Sequence, residues 1–149
     1  MASVQERLSE LIGEFADLDA REKLELLVDF ANGLPPLPAE YEARKAVEDR
    51  RVRECQTPVF LWMESDGTAT ATFVAEVAPE APTVKGFVAI LAAAVNGRPV
   101  VEVASLSDDM LDRMGLADVL GILRTRGLRA IVARVKRGFA ELAAAETGN

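Results

Sequence analysis

Apolar residues at Val4, Leu8, Leu11, Ile12 and Phe15 recur at helical spacing, so the first segment reads as a helix with one inward face. Asp19 followed by Glu22 matches a capping box. Leu24, Leu27, Val28 and Ala31 then carry a second helix to Asn32-Gly33, a pair suited to a left-handed cap. Leu34-Pro35-Pro36-Leu37-Pro38 imposes extended backbone with few amide donors, and the polar residues 39–47 beyond it fit a short helix.

The pattern then changes period. Residues 56–63 read as a strand, Ser65-Asp66-Gly67-Thr68 as a turn, and residues 68–77 as a second strand in which threonines alternate with Ala69, Ala71, Phe73 and Ala75. Residues 50–54 could add a third short strand, which would leave Cys55 at a bend between two extended segments. Pro82 opens a helix over residues 84–95 that is apolar on nearly every face and stops at Asn96-Gly97. Ser107 is expected to cap a short helix ending near Gly115. After Gly127, Leu128, Ile131, Val132, Val135, Phe139 and Leu142 mark a last amphipathic helix, with Arg129, Arg134, Lys136 and Arg137 on its wetter sides. Helices, a small antiparallel sheet of about three strands, then helices again define an α+β class.

Composition narrows the chemistry. The 149 residues, half of them hydrophobic, are enough for one core and are read as one domain over 1–149. With 24 acidic against 17 basic residues, the net charge of -7 has the wrong sign for phosphate binding, so nucleic acid is not expected as a partner. The first residues carry no basic segment followed by an apolar run, and the longest apolar run, residues 87–95, is too short for a bilayer. No membrane association and a cytoplasmic location are therefore expected, as is a reducing compartment, because one cysteine cannot form an internal disulfide.

No histidine is present, so the chain has no imidazole to act as base for a nucleophile or as a metal ligand. One cysteine cannot build a zinc or iron-sulfur site unaided. The chain is not expected to be an enzyme by itself, nor to hold a metal or cofactor of its own.

Cys55 is left as the one side chain suited to covalent sulfur chemistry, and it lies in Arg50-Arg51-Val52-Arg53-Glu54-Cys55-Gln56-Thr57-Pro58. A structural cysteine in a strand and a nucleophile both fit that run. If the segment is extended, Arg51, Arg53 and Cys55 share one side, and the guanidinium groups favour the thiolate. Trp62, Phe60 and Phe73 read as core, and Lys85-Gly86 as a packing feature rather than a phosphate loop.

Four blocks, in order, resemble one known family. Val52-x-x-Cys55-Gln56-Thr57-x-Val59-Phe60 resembles the cysteine signature of SufE-like desulfuration proteins; Gly33-Leu34-Pro35 follows a helix as their Leu-Pro segment does. Val84-Lys85-Gly86-Phe87 and Leu123-Arg124-x-x-Gly127-Leu128 are similar to their Val-Lys-Gly and Ser-Arg-x-x-Gly-Leu segments. Glu54 stands where that family usually has glycine, Thr57 where it has serine, with Pro58 after it, and Phe60 where a tryptophan is common.

The resemblance implies a fold shared with IscU-type iron-sulfur scaffolds and an acceptor thiol at a loop tip. It implies that Cys55 takes persulfide sulfur from a SufS-type cysteine desulfurase, stimulates that enzyme, and passes the sulfur to an iron-sulfur scaffold complex. Pyridoxal phosphate would belong to the desulfurase. Arg51, Arg53, Gln56 and Arg124 are the candidates to support the thiolate or the docking. Cys55 is expected to rest at least partly covered. A thiol adapter or redox sensor and a cluster scaffold remain as alternatives.

Overall fold

The structure, a computed structural model, describes residues 3–147. Its elements run α1 (Val4–Ala16), α2 (Ala20–Ala31), α3 (Ala39–Lys45), β1 (Val59–Ser65), β2 (Ala71–Val77), α4 (Pro82–Val95), α5 (Val100–Ala104), α6 (Met110–Met114), α7 (Ala117–Leu120) and α8 (Ile122–Thr147). The α+β class holds. Among the described residues no helix is long and apolar enough to cross a membrane.

The largely apolar α4 is the central element, with Phe87, Val88, Ile90, Leu91, Ala94 and Val95 fully enclosed. α2 crosses it at Gly86, where a Cβ would lie 1.9 Å from the carbonyl oxygen of Leu27, so only glycine permits this approach. α1 adds Val4, Leu8, Ile12 and Phe15 to the same core, and α8 adds Leu128, Ile131, Val135 and Phe139. The capping box of α2 is present, with Asp19 and Glu22 each accepting the other's backbone N–H.

β1 and β2 pair antiparallel with Leu61 opposite Ala75 and Met63 opposite Phe73. Val59, Leu61, Phe73, Ala75 and Val77 face the core. On the opposite face, Trp62 is buried under α3 with the Tyr41 ring edge-on to it at 5.3 Å. Arg44 of α3 bridges Glu48 and Glu64, and Lys45 pairs with Glu76 at 2.6 Å.

Among the described residues the sheet has two strands, not three. Residues 50–54 add only an isolated bridge between Arg51 and Phe60, because the chain turns at Arg53-Glu54. The outer edge of β2 is met by non-strand groups: the Asn96 side chain accepts from Phe73 N at 2.7 Å and donates to Phe73 O at 3.1 Å. Other boundaries also shift. β1 starts at Val59 after Pro58, and β2 at Ala71 after a turn with Gly67 and Ala69 at positive φ. The end of α2 falls as expected, but without a left-handed residue: Asn32 is right-handed helical. The N-cap of α6 is Asp109, whose backbone N–H is accepted by Ser107 Oγ, so Ser107 braces the cap rather than being it. α8 begins at Ile122, after Gly121 at φ 86, rather than at Leu128.

Candidate functional site: a sheltered thiol

Cys55 occupies the loop between the isolated bridge and β1. The loop base is closed by Val52 N donating to Val59 O at 2.9 Å, by Leu61 N donating to Arg50 O at 3.1 Å and by Ala78 N donating to Pro58 O at 3.1 Å. Val52 is fully buried, and the Cys55 N–H donates to the Val52 carbonyl at 3.2 Å, which turns the side chain inward. Cys55 is 7% exposed, so it rests covered as expected.

The thiol lies at the floor of a small pocket. Its walls are Gln56 and Thr57 of the loop, Val84 of α4, and Leu123, Arg124 and Gly127 of α8. Gly127 allows the fit: a Cβ there would stand 2.9 Å from Sγ and 3.4 Å from the Cys55 Cα. Three elements distant in sequence thus converge on one sulfur.

Burial pushes the Cys55 thiol up to about 11, and the negative charge of Glu54 pushes in the same direction; Arg51 and Arg134 oppose them. At rest it is a protonated thiol. Of the sequence candidates, Arg51 acts on the thiol, and Gln56 and Arg124 line its pocket. Arg124 Nη1 donates to Thr83 Oγ1 at 3.1 Å, which braces it against the start of α4.

Arg53 is a correction. It is exposed and pairs with Asp49 at 3.0 Å, because the chain turns there and the two-residue alternation that would put it beside Cys55 does not hold. Two residues escaped the sequence reading. Arg134 of α8 donates to the Arg51 carbonyl at 3.3 Å and supplies positive potential at the thiol, and nothing in its local sequence marks it. Gly127 carried a signal only as the glycine of the Leu123-Arg124-x-x-Gly127-Leu128 block, since the apolar pattern places it just before the last helix. Among the described residues no group of three or more His, Cys, Asp or Glu could hold a metal ion.

The fold and site together define a small α+β protein that presents one enclosed thiol from a loop pinned beneath two helices. The chain belongs to the SufE family: the profile of that family, described as Fe-S metabolism associated domain, matches residues 9–139. It is 37% identical over 140 residues to SufE-like proteins from two strains of Mycobacterium tuberculosis, spanning 94% of this chain and 96% of theirs. It is 26% identical over 123 residues to the chloroplastic/mitochondrial SufE-like protein 1 of Arabidopsis thaliana, of which it spans 32%. The solution structure of a hypothetical protein from Thermus thermophilus superposes with a TM-score of 0.73 at 29% identity, covering 95% of this chain and 97% of that one. Family membership associates the chain with iron-sulfur metabolism.

Proposed function

We propose that the chain is a sulfur acceptor for a SufS-type cysteine desulfurase, with Cys55 as the accepting atom. The observation that carries this is the enclosure of the chain's one thiol by a wall drawn from the loop, α4 and α8. An incidental core cysteine packs as a small hydrophobe, whereas this one shares its pocket with Gln56, Thr57 and Arg124.

In the transfer, Cys55 as thiolate attacks the outer sulfur of the donor's persulfide. The new bond joins Cys55 Sγ to that sulfur, the donor's S–S bond breaks, and the donor leaves as a thiolate. The proton carried by the terminal persulfide sulfur travels with it, so Cys55–S⁻ and R–S–SH become Cys55–S–SH and R–S⁻ without net oxidation. Pyridoxal phosphate belongs to the donor, and this chain contributes no cofactor and no catalysis of its own beyond accepting sulfur. The persulfide then passes to an iron-sulfur scaffold complex.

A thiol 7% exposed and pushed up to about 11 does not match redox sensing, since sensor cysteines are accessible and of low pKa. The test is incubation with a cysteine desulfurase of the same organism and free cysteine. The wild type gains the mass of one sulfur atom at Cys55 and accelerates turnover, and Cys55→Ser does neither. A wild type that stays unmodified and leaves turnover unchanged would rule the assignment out.

A further inference from the structure

Two half-buried arginines converge on the Cys55 loop without a carboxylate to balance them. Arg134 lies seven residues after Gly127, so both stand on the face of α8 that covers the loop. Its guanidinium donates to the Arg51 carbonyl at 3.3 Å, and neither Arg134 nor Arg51 has a carboxylate within ion-pair distance among the described residues. Arg129 and Lys136 of the same helix and Arg53 of the same loop, by contrast, each hold an aspartate. The charged groups around the thiol are Arg51 and Glu54 from the loop and Arg124 and Arg134 from α8, while α4 presents Val84. In a chain with 24 acidic residues, leaving two partly desolvated guanidinium groups uncompensated costs solvation. A neutral thiol does nothing to offset that cost, and an anion on the same sulfur does.

We infer that Arg134 is a positioning residue of the acceptor and, together with Arg51, the counter-charge for the sulfur-loaded form of Cys55. The inference rests on Cys55 accepting sulfur. A hydropersulfide is a stronger acid than its parent thiol, so at neutral pH the loaded form is the anion Cys55–S–S⁻ and the resting form is Cys55–SH. The net exchange is Cys55–SH + R–S–S⁻ → Cys55–S–S⁻ + R–SH. A bond forms from Cys55 Sγ to the outer sulfur, the donor's S–S bond breaks, and the Cys55 proton ends on the released thiol with no net oxidation. Positive charge at the pocket stabilises the loaded side alone and so draws sulfur onto this chain. The hydrogen bond to the Arg51 carbonyl fixes the guanidinium to the loop stem, which keeps the charge beside the sulfur.

The test brings the wild type and its variants to equilibrium with glutathione persulfide and glutathione at a fixed ratio, a small donor that takes protein docking out of the reading. The loaded-to-unloaded ratio of Cys55 is read by intact mass after alkylation. At pH 7 Arg134→Met and Arg51→Met both lower that ratio, Arg134→Met by about tenfold, and Arg134→Lys recovers part of the loss. Lys136→Met, which removes the same charge from the same helix where Asp108 holds it, keeps the wild-type ratio. The effect also carries a pH signature. It fades as pH rises toward about 11, where the unloaded thiol ionises too and both forms gain from the arginines.

Wild-type ratios in both Arg134→Met and Arg51→Met would overturn the inference. So would a loss equal at pH 7 and at pH 11, which reduces Arg134 to a structural clasp. Arg51→Met keeps its backbone carbonyl, so it decides alone where Arg134→Met does not fold. Arginine-dependent loading in a wild type that takes no sulfur from a cysteine desulfurase of the same organism overturns the acceptor role instead, so the two failures are told apart.

Discussion

Gly127→Ala places a methyl carbon 2.9 Å from Cys55 Sγ and 3.4 Å from its Cα, closer to the sulfur than real Cβ contacts come. The helix backbone is the stiffer partner, and alanine favours it over glycine by about 1 kcal/mol. The loop must therefore give, and Sγ moves outward. Burial is the first cause of the thiol's rise to about 11, so exposure returns it toward 9.0. At pH 7 the thiolate fraction would climb from about one in ten thousand to about one in a hundred for full relief, a gain of about a hundredfold. Each thiolate becomes less nucleophilic as its pKa falls, by about tenfold over two units, so the net gain in rate is about tenfold. The assay is the rate of reaction with a chromogenic aromatic disulfide across pH, with thiolate absorbance as a direct titration. If Gly127→Ala still titrates near 11 and reacts at the wild-type rate, burial by α8 is not what holds the thiol protonated.

Two further tests concern stability. Gly86→Ala forces a Cβ into the Leu27 carbonyl, and since neither backbone can yield without parting α2 from α4, it should cost about 3 kcal/mol in urea unfolding; a wild-type midpoint would contradict the close crossing. In acid, the hydrogen bond from Arg44 holds Glu48 down to about 2, with Arg50 assisting, and Arg44 likewise lowers Glu64. Because these folded-state values lie below the usual 4.5, their stabilisation is present above that pH and is lost as pH falls toward about 2. The fluorescence of Trp62, the chain's one tryptophan, reports α3 docking and should change over that window; constant emission through it would refute the coupling.

Much of this fold was legible because apolar period and burial coincide. The stripe Leu128, Ile131, Val132, Val135 and Phe139 is buried as its spacing requires, and α4 is enclosed as its all-apolar face demands. The errors came where one residue type serves two ends. Gly127 reads as a helix start, yet it sits inside α8 because the sulfur of Cys55 needs the space of its missing side chain. Arg51 to Cys55 has a strand-like alternation, but Cys55 N bonds back to Val52 O, and the resulting turn sends Arg53 away from the thiol. The thiol itself was found because it had no competitor in the chain. Arg134 was not, since its approach to Arg51 joins residues 83 positions apart.

A protonated, enclosed thiol raises the question of what starts the transfer. The loop base is pinned at Val52 and Val59, and Arg134 holds the Arg51 carbonyl, so the whole loop cannot swing without breaking several hydrogen bonds. The tip is tied less firmly: Glu54 and Gln56 are exposed, and Arg53 is held by one exposed ion pair. On the acceptor reading, Leu123 links the two events, since it is a wall of the pocket and is itself 61% exposed. A donor that buries Leu123 alters the wall that shelters Sγ, and the tip is the part free to respond. On that reading docking energy, rather than a standing thiolate, sets the rate. Glu54 works in the same sense as burial, because its charge keeps the free thiol protonated and slow toward adventitious oxidants until the donor arrives.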